Sequence, residues 1–103
     1  MKENRHIEDY VDKRYLFIGT YATYNERNKS RVIKKIHFED EKGNIVRIDH
    51  FNIYANQFDK DTVKFRKSEK GKQVLFYGRI DTYSSAKKEN GIDYCVKDVV
   101  VIR

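Results

Sequence analysis

Apolar and polar residues alternate along residues 73–83, QVLFYGRIDTY, and this period of two predicts a β-strand with two different faces. One side of the extended chain would carry Val74, Phe76, Gly78 and Ile80. The opposite side would carry Leu75, Tyr77, Arg79, Asp81 and Tyr83. The first set is suited to a core, so the second set places two tyrosines and an arginine on the surface.

Four further segments have strand-like patterns. Residues 15–24, YLFIGTYATY, are aromatic, β-branched and small, and the chain ends with a second strand-like segment, IDYCVKDVVVIR. VIKKIHFED and NIVRIDHFNIY surround EKGN, where Gly43 and Asn44 tolerate positive φ, so this pair predicts a β-hairpin. Gly19 and Gly78 lie inside predicted strands and indicate bends of the kind that small barrels need.

Two short helices are also predicted. In residues 4–14, NRHIEDYVDKR, an apolar face at three-and-four spacing combines Ile7, Tyr10, Val11 and Arg14, and Asn4 is a candidate cap. Residues 56–64 predict a second short helix, followed by a basic turn. We therefore divide the chain into an N-terminal helical arm, residues 1–14, and a β-domain, residues 15–103.

The order of these elements is helix, strand, two-stranded hairpin, short helix, strand, loop and strand. With the bend glycine in the first strand, the tight turn and the phrase KGKQVLFYGRI, the chain resembles the OB-fold nucleic-acid-binding proteins, most of all those that bind single-stranded DNA. The resemblance covers about residues 15–103. It implies an all-β fold, a five-stranded Greek-key barrel with a short N-terminal helix and a short helix between strands three and four. An SH3-like barrel or an α+β domain with a curved sheet are the alternatives.

Composition adds a basic and aromatic character to this picture. The 103 residues include 22 Lys and Arg against 16 Asp and Glu, which gives a net charge of +6, and 14% of the residues are aromatic. Basic charge combined with aromatic surface is typical of proteins that bind single-stranded nucleic acid. The chain has no apolar run of membrane-spanning length and no secretory signal in its first residues, so we expect a soluble, cytoplasmic protein.

The basic residues are concentrated in loops. Residues 26–35 contain Arg27, Lys29, Arg31, Lys34 and Lys35 against Glu26 alone. Residues 64–72 contain Lys64, Arg66, Lys67, Lys70 and Lys72, and the last loop carries Lys87 and Lys88. In an OB-type barrel the loops after strands one and four border the binding cleft, so the resemblance implies two basic loops around one groove. The alternative is that lysine-rich loops only keep the protein in solution.

The predicted binding surface combines these cations with outward aromatic rings. On the first strand Tyr15, Phe17 and Tyr21 share one side while Leu16, Ile18 and Tyr24 share the other, and we expect Tyr21 or Tyr24 to be exposed. Stacking a base on such a ring contributes about 1–3 kcal/mol. The full predicted set is Tyr21, Tyr24, Arg27, Lys29, Arg31, Lys34, Lys35, His37, Arg47, Tyr77, Arg79, Tyr83, Lys87 and Lys88.

Catalytic and metal chemistry are not expected. The three histidines have no second ligand at a metal-binding spacing, no phosphate loop is present, and one cysteine, Cys95, allows no internal disulfide. Asp49 and His50 are adjacent in a strand, so we expect their side chains to point to opposite faces. These observations predict neither catalytic residues nor a cofactor.

The sequence therefore predicts a non-enzymatic protein that binds single-stranded nucleic acid, DNA rather than RNA, without strong sequence preference. The resemblance further implies an accessory role beside a replication enzyme such as a primase, polymerase or helicase. The Lys-, Asn-, Ile- and Tyr-rich composition is a hint of a low-GC bacterium, phage or mobile element. The first alternative is a protein-binding adaptor or inhibitor that uses the same barrel face without nucleic acid. The second alternative is that the bound nucleic acid is RNA.

Overall fold

The protein is built around one antiparallel sheet of five strands, which confirms the all-β prediction. The computed structural model describes residues 7–66, 69–89 and 91–102. The strands are β1 (Arg14–Asn25), β2 (Ser30–Glu39), β3 (Ile45–Tyr54), β4 (Gln73–Ser84) and β5 (Ile92–Val101). Their order across the sheet is β3-β2-β1-β4-β5, so β1 is central and pairs with both β2 and β4.

The predicted hairpin between β2 and β3 is confirmed. Gly43 has a φ of +84°, and Asp40 closes the turn because its Oδ1 accepts the backbone N–H groups of Lys42 and Asn44 at 3.0 and 2.8 Å. An aspartate that caps its own turn in this way fixes the register of the two strands.

Both strand glycines lie where the strand pairing is irregular. The β1–β2 register shifts between Ile18 and Thr20, around Gly19, and the β4–β5 register shifts between Tyr77 and Arg79, around Gly78. A Cβ atom on Gly19 would lie 2.8 Å from Cγ2 of Ile33, and one on Gly78 would collide with Val96. The bends predicted from the sequence are therefore also points of close approach between strands.

The faces of β4 and of the first half of β1 are those that the alternation predicted. Val74, Phe76 and Ile80 are almost completely buried, whereas Tyr77 and Tyr83 are 42% and 47% exposed. Inward side chains of all five strands form one core with Phe58 and Phe65 of the β3–β4 connection.

The predicted helix over residues 4–14 is wrong for the part that the structure describes; residues 4–6 lie outside the described ranges. Only a single 3₁₀ turn, Ile7–Tyr10, is present, and Arg14 already belongs to β1. The backbone N–H of Asp12 donates to Ile80 O at 2.7 Å, and the N–H of Ile80 donates to Lys13 O at 3.1 Å. Pairing with β4 thus replaces the helical hydrogen bonds that a short, marginal helix would need.

The second predicted helix, residues 56–64, is also wrong. It is reduced to the 3₁₀ turn Ala55–Gln57, because the chain then extends along β5 and inserts Phe58 and Phe65 into the core. Among the described residues, no helix is long and apolar enough to cross a membrane.

The sheet is not closed into a continuous barrel. In the described parts of the chain no ladder joins β3 to β5, but an isolated parallel bridge connects Phe58 with Val99. The N–H of Asp59 donates to Val99 O at 2.8 Å, and the N–H of Val101 donates to Oγ1 of Thr62 at the same distance. The segment that follows β3 therefore holds the two edge strands near each other.

Candidate nucleic-acid interface

The outer face of the β2–β3 hairpin is basic. Lys34 is the cross-strand partner of His50, and His37 is the partner of Arg47, so these four side chains form two adjacent rows on one surface. Lys35 is exposed beside them. Lys34, Lys35, His37 and Arg47, four of the predicted site residues, therefore share one surface, which we call the basic face.

Lys35 reaches this surface because the strand alternation is interrupted. Lys34 and Lys35 are both exposed between buried Ile33 and Ile36, and Lys35 has a φ of +53°. The interruption adds a second cation to a face that strict alternation would have limited to one.

The same interruption on β3 makes the prediction for Asp49 and His50 wrong. Both side chains are exposed between buried Ile48 and Phe51, and Nδ1 of His50 lies 2.8 Å from Oδ2 of Asp49. The two groups do interact, since an irregular strand does not send consecutive side chains to opposite faces.

The β1–β2 loop lies next to this face. Arg27 and Lys29 are exposed there, and Asn25 shapes the loop because its Oδ1 accepts the backbone N–H of Arg27 at 3.0 Å. Ser30, the first residue of β2, pairs with Tyr54 at the end of β3, so the loop borders the end of β3.

A groove of about 580 Å³ opens between β3 and the β4–β5 hairpin. Its lining includes His50, Asn52 and Tyr54 from β3, with Tyr83, Lys88 and Asp93 from the hairpin. The position follows from the parallel Phe58–Val99 bridge, because residues that precede Phe58 then lie alongside residues that precede Val99. The loop at the start of β5 is thereby placed beside β3.

Two tyrosines from different strands meet in this groove. Tyr54 is 37% exposed and Tyr83 is 47% exposed. The hydroxyl of Tyr83 donates to Oδ2 of Asp93 at 3.2 Å, and Nζ of Lys88 is 3.9 Å from the same oxygen. Burial and the charge of Asp93 raise the pKa of Tyr83, which keeps its hydroxyl protonated at neutral pH.

Tyr54 and Asn52 were missed by the sequence analysis. Both lie in NIVRIDHFNIY at positions that alternate with buried Phe51 and Ile53. The period of two could have identified them as outward residues, but only the tertiary structure places them opposite Tyr83. Lys87 is exposed in the same loop as Lys88 and does not line the groove.

The prediction that Tyr21 is exposed is wrong. Tyr21 is fully buried, and its ring is 5.9 Å from that of Phe65, because the inward series of Tyr15 and Phe17 continues past Gly19. A buried ring has no face for a base. Tyr24, the alternative choice, is half-buried.

Arg31 is engaged within the protein. Its Nε donates to Phe65 O at 2.8 Å, and its guanidinium carbon lies 5.3 Å from the ring centre of Tyr24 and 5.5 Å from that of Phe58. This arginine fastens the β3–β4 connection over one end of the core, and we do not include it in the interface.

Arg79 is likewise occupied by carboxylates. Its guanidinium lies 3.0 Å from Asp98, 3.2 Å from Asp81 and 3.7 Å from Asp12. The hydrogen bond with Asp98 is the main cause that raises the pKa of Arg79. Tyr77 precedes this cluster on β4 and has Leu16 and Val100 as cross-strand neighbours, outside the groove.

Other chemistry is limited in the described residues. Within 7–66, 69–89 and 91–102, no group of three or more His, Cys, Asp or Glu side chains is arranged to hold a metal ion. Cys95 is buried, and burial raises the pKa of its thiol, which disfavours the reactive thiolate. Comparisons of this chain with protein-family models, with curated proteins and with solved structures found no match.

Proposed function

We propose that this protein binds single-stranded nucleic acid, in the first place DNA, across β3 and the groove beside it. The observation that carries the proposal is that Tyr54 and Tyr83, two exposed rings from different strands, line one groove. Lys88 lies in its lining, and His50, the cross-strand partner of Lys34, connects it to the basic outer face of β2 and β3. Single-strand binders without sequence preference combine stacking platforms of this kind with a basic track for the backbone.

The proposal includes an OB-type arrangement of the sheet. It is supported by the pairing of β1 with both β2 and β4, and by the parallel bridge that draws the end of β3 to β5. In OB-folds, the face of strands two and three and the loops after strands one and four bind oligonucleotides. The basic face, the β1–β2 loop and Lys88 occupy the corresponding places here.

The charges suggest how a single strand of nucleic acid would be oriented in this groove. Exposed cations line the approach to the groove: Arg27, Lys29, Lys34, Lys35 and Arg47. The groove itself contains carboxylates from Asp49 and Asp93. Carboxylates repel phosphates, so the backbone is expected to follow the cations while bases turn towards the tyrosine rings. His50 and Asn52 then provide polar groups to base edges.

Binding of a fluorescently labelled oligo-dT, followed by anisotropy at low and at moderate salt, tests the proposal. Tyr54→Ala and Tyr83→Ala are each expected to weaken binding by about 1–3 kcal/mol, roughly 5- to 150-fold in Kd. Tyr77→Ala is the matched control, since Tyr77 has similar exposure but lies outside the groove. Absence of binding at low salt would overturn the proposal, and so would an equal effect of all three changes. Competition between the labelled oligo-dT and an RNA oligomer of the same sequence measures whether the protein binds DNA more tightly than RNA.

An accessory role beside a primase, polymerase or helicase stays a proposal that rests on the sequence resemblance. A specific observation favours some protein contact: the cross-strand partners Leu16 and Tyr77 are exposed on β1 and β4, beside the basic outer face of β2 and β3.

A further inference from the structure

Two side chains of the β4–β5 hairpin contact the same carboxylate in the groove. Tyr83 and Asp93 are cross-strand partners, and the hydroxyl of Tyr83 donates to Oδ2 of Asp93 at 3.2 Å. Nζ of Lys88 is 3.9 Å from the same oxygen. The carboxylate is itself held in place, because its Oδ1 accepts the backbone N–H of Tyr94 at 2.8 Å. Asp93 therefore uses both of its oxygens within the protein, although it lines the groove.

The loop that joins β4 to β5 keeps Lys88 near this carboxylate. The N–H of Lys88 donates to Ser85 O at 3.3 Å, and the N–H of Gly91 donates to Lys88 O at 3.0 Å. The N–H of Ser85 donates to Gly91 O at 2.9 Å, which closes the loop at its base. The ion pair of Lys88 with Asp93 is partly exposed and therefore weak. The charge-assisted hydrogen bond from Tyr83 is the stronger of the two side-chain contacts.

A carboxylate beside a stacking ring has two opposite effects on the binding of nucleic acid. Its charge repels phosphates, so its removal would by itself strengthen binding. Its hydrogen bond restrains χ1 of Tyr83, whereas an exposed tyrosine without a partner for its hydroxyl samples several staggered rotamers. A ring that is already held in place loses less conformational freedom when a base stacks on it, and this favours binding.

We propose that Asp93 is a positioning residue of the groove, which holds the ring of Tyr83 in the direction that a stacking base needs. This role rests on the proposed function, since the ring is held for a base bound in the same groove. The hydrogen bond outweighs the charge because Lys88 lies beside Asp93 and offsets its repulsion of phosphates. An acidic side chain thus strengthens the binding of a polyanion.

Anisotropy with labelled oligo-dT tests the sign of this effect. Asp93→Ala is expected to weaken binding by about 2- to 10-fold, the scale for ordering one side chain. Glu89→Ala is the matched control, because Glu89 is an exposed acid of the same hairpin that does not line the groove. This control should bind at least as tightly as the unmodified protein. If Asp93→Ala also binds as tightly as the unmodified protein, or more tightly, Asp93 acts only through its charge and the proposal is overturned.

Changes at the hydroxyl separate positioning from a general effect on the fold. Tyr83→Phe keeps the ring but removes the hydroxyl, so it should weaken binding as Asp93→Ala does. Adding Asp93→Ala to Tyr83→Phe should then cause no further loss, whereas damage to the fold would weaken binding in both backgrounds. Asp93→Asn retains a hydrogen-bonding group for the hydroxyl and should recover most of the affinity. Additive losses contradict the proposal, as does an Asp93→Asn variant that binds as weakly as Asp93→Ala.

The free protein provides a test that needs no nucleic acid. Asp93→Asn should lower the pKa of Tyr83 towards its ordinary value, because the burial that raises this pKa remains while the charge of Asp93 is removed. NMR titration of the tyrosine side chains measures the change, and an unchanged pKa of Tyr83 overturns the proposal. A protein in which this pKa falls but which does not bind oligo-dT overturns the proposed function, and the role of Asp93 with it. A protein that binds oligo-dT without the expected loss in Asp93→Ala overturns the role of Asp93 alone.

Discussion

The hydroxyl of Tyr10 donates a 2.9 Å hydrogen bond to Oδ2 of Asp40, and this contact ties the N-terminal 3₁₀ turn to the β2–β3 hairpin. A parallel contact joins the hydroxyl of Tyr15 to Oε1 of Glu41 at 2.9 Å. Two neutral phenols thus hold two adjacent carboxylates of the same turn. Burial and the bond to Glu41 raise the pKa of Tyr15, and the bond to Asp40 raises that of Tyr10, so both stay protonated as donors.

These contacts predict a loss of stability in acid. Burial acts to raise the pKa of Asp40, but the hydrogen bonds from Asn44, Tyr10 and Lys42 outweigh it, and the pKa lies below its ordinary value. A carboxyl whose pKa is lower in the folded state stabilises the fold above its unfolded pKa of about 4, and this contribution is lost as the pH falls through the folded value.

Asp40→Asn should therefore lower the urea midpoint at neutral pH and reduce its fall towards about pH 3, since one linked proton is removed. Urea unfolding at several pH values measures both effects. Glu39→Gln is the control in the neighbouring position, because Glu39 is exposed. If the urea midpoint of Asp40→Asn depends on pH as that of the unmodified protein does, Asp40 is not the source of the predicted loss of stability in acid.

The adjacent cations Lys34 and Lys35 predict a specific change in the salt dependence of oligonucleotide binding. The double variant Lys34→Gln, Lys35→Gln should reduce the slope of log Kd against log salt by about 0.7 for each phosphate that the variant no longer neutralises. Anisotropy titrations at several salt concentrations give the slope. Lys42→Gln, on the exposed β2–β3 turn at the far end of the hairpin, should leave it unchanged. An unchanged slope in the double variant would show that Lys34 and Lys35 do not contact the phosphates.

Arg31 is expected to affect stability rather than binding. Arg31→Lys retains the charge but loses the planar group between Tyr24 and Phe58, so we expect the free energy of unfolding to fall by about 1–2 kcal/mol. Chemical unfolding measures this loss. Arg27→Lys, in the preceding β1–β2 loop and exposed, should have little effect. If Arg31→Lys leaves the free energy of unfolding unchanged but weakens oligo-dT binding, Arg31 belongs to the nucleic-acid interface.

The strands and their inward faces could be predicted from the sequence, because alternation is a local property of an extended chain. Val74, Phe76 and Ile80 were assigned correctly to the core, and Gly43 marked a turn. The two short helices that the sequence predicts are wrong. Backbone hydrogen bonds of Asp12 with β4 and of Asp59 with β5 outweigh the weak local preference of these segments for a helix.

The candidate site depended more on tertiary structure. Tyr83 and Lys88 were predicted, yet Tyr54 joins them only because the Phe58–Val99 bridge brings β3 beside β5. Whether a cation is free to bind nucleic acid is also decided by residues far away in the chain: Arg79 is paired with Asp98 of β5, and Arg31 contacts rings and a carbonyl of other elements.

By itself, then, the sequence determined five strands, the core side of most positions, and a surplus of basic and aromatic residues. The tertiary structure decided which of those residues share a surface, which arginines are neutralised, and that an apolar patch on β1 and β4 lies beside the basic face. The physical reason is that alternation and turn chemistry act between neighbouring residues, whereas a groove, an ion pair and a patch need contacts between strands far apart in the chain.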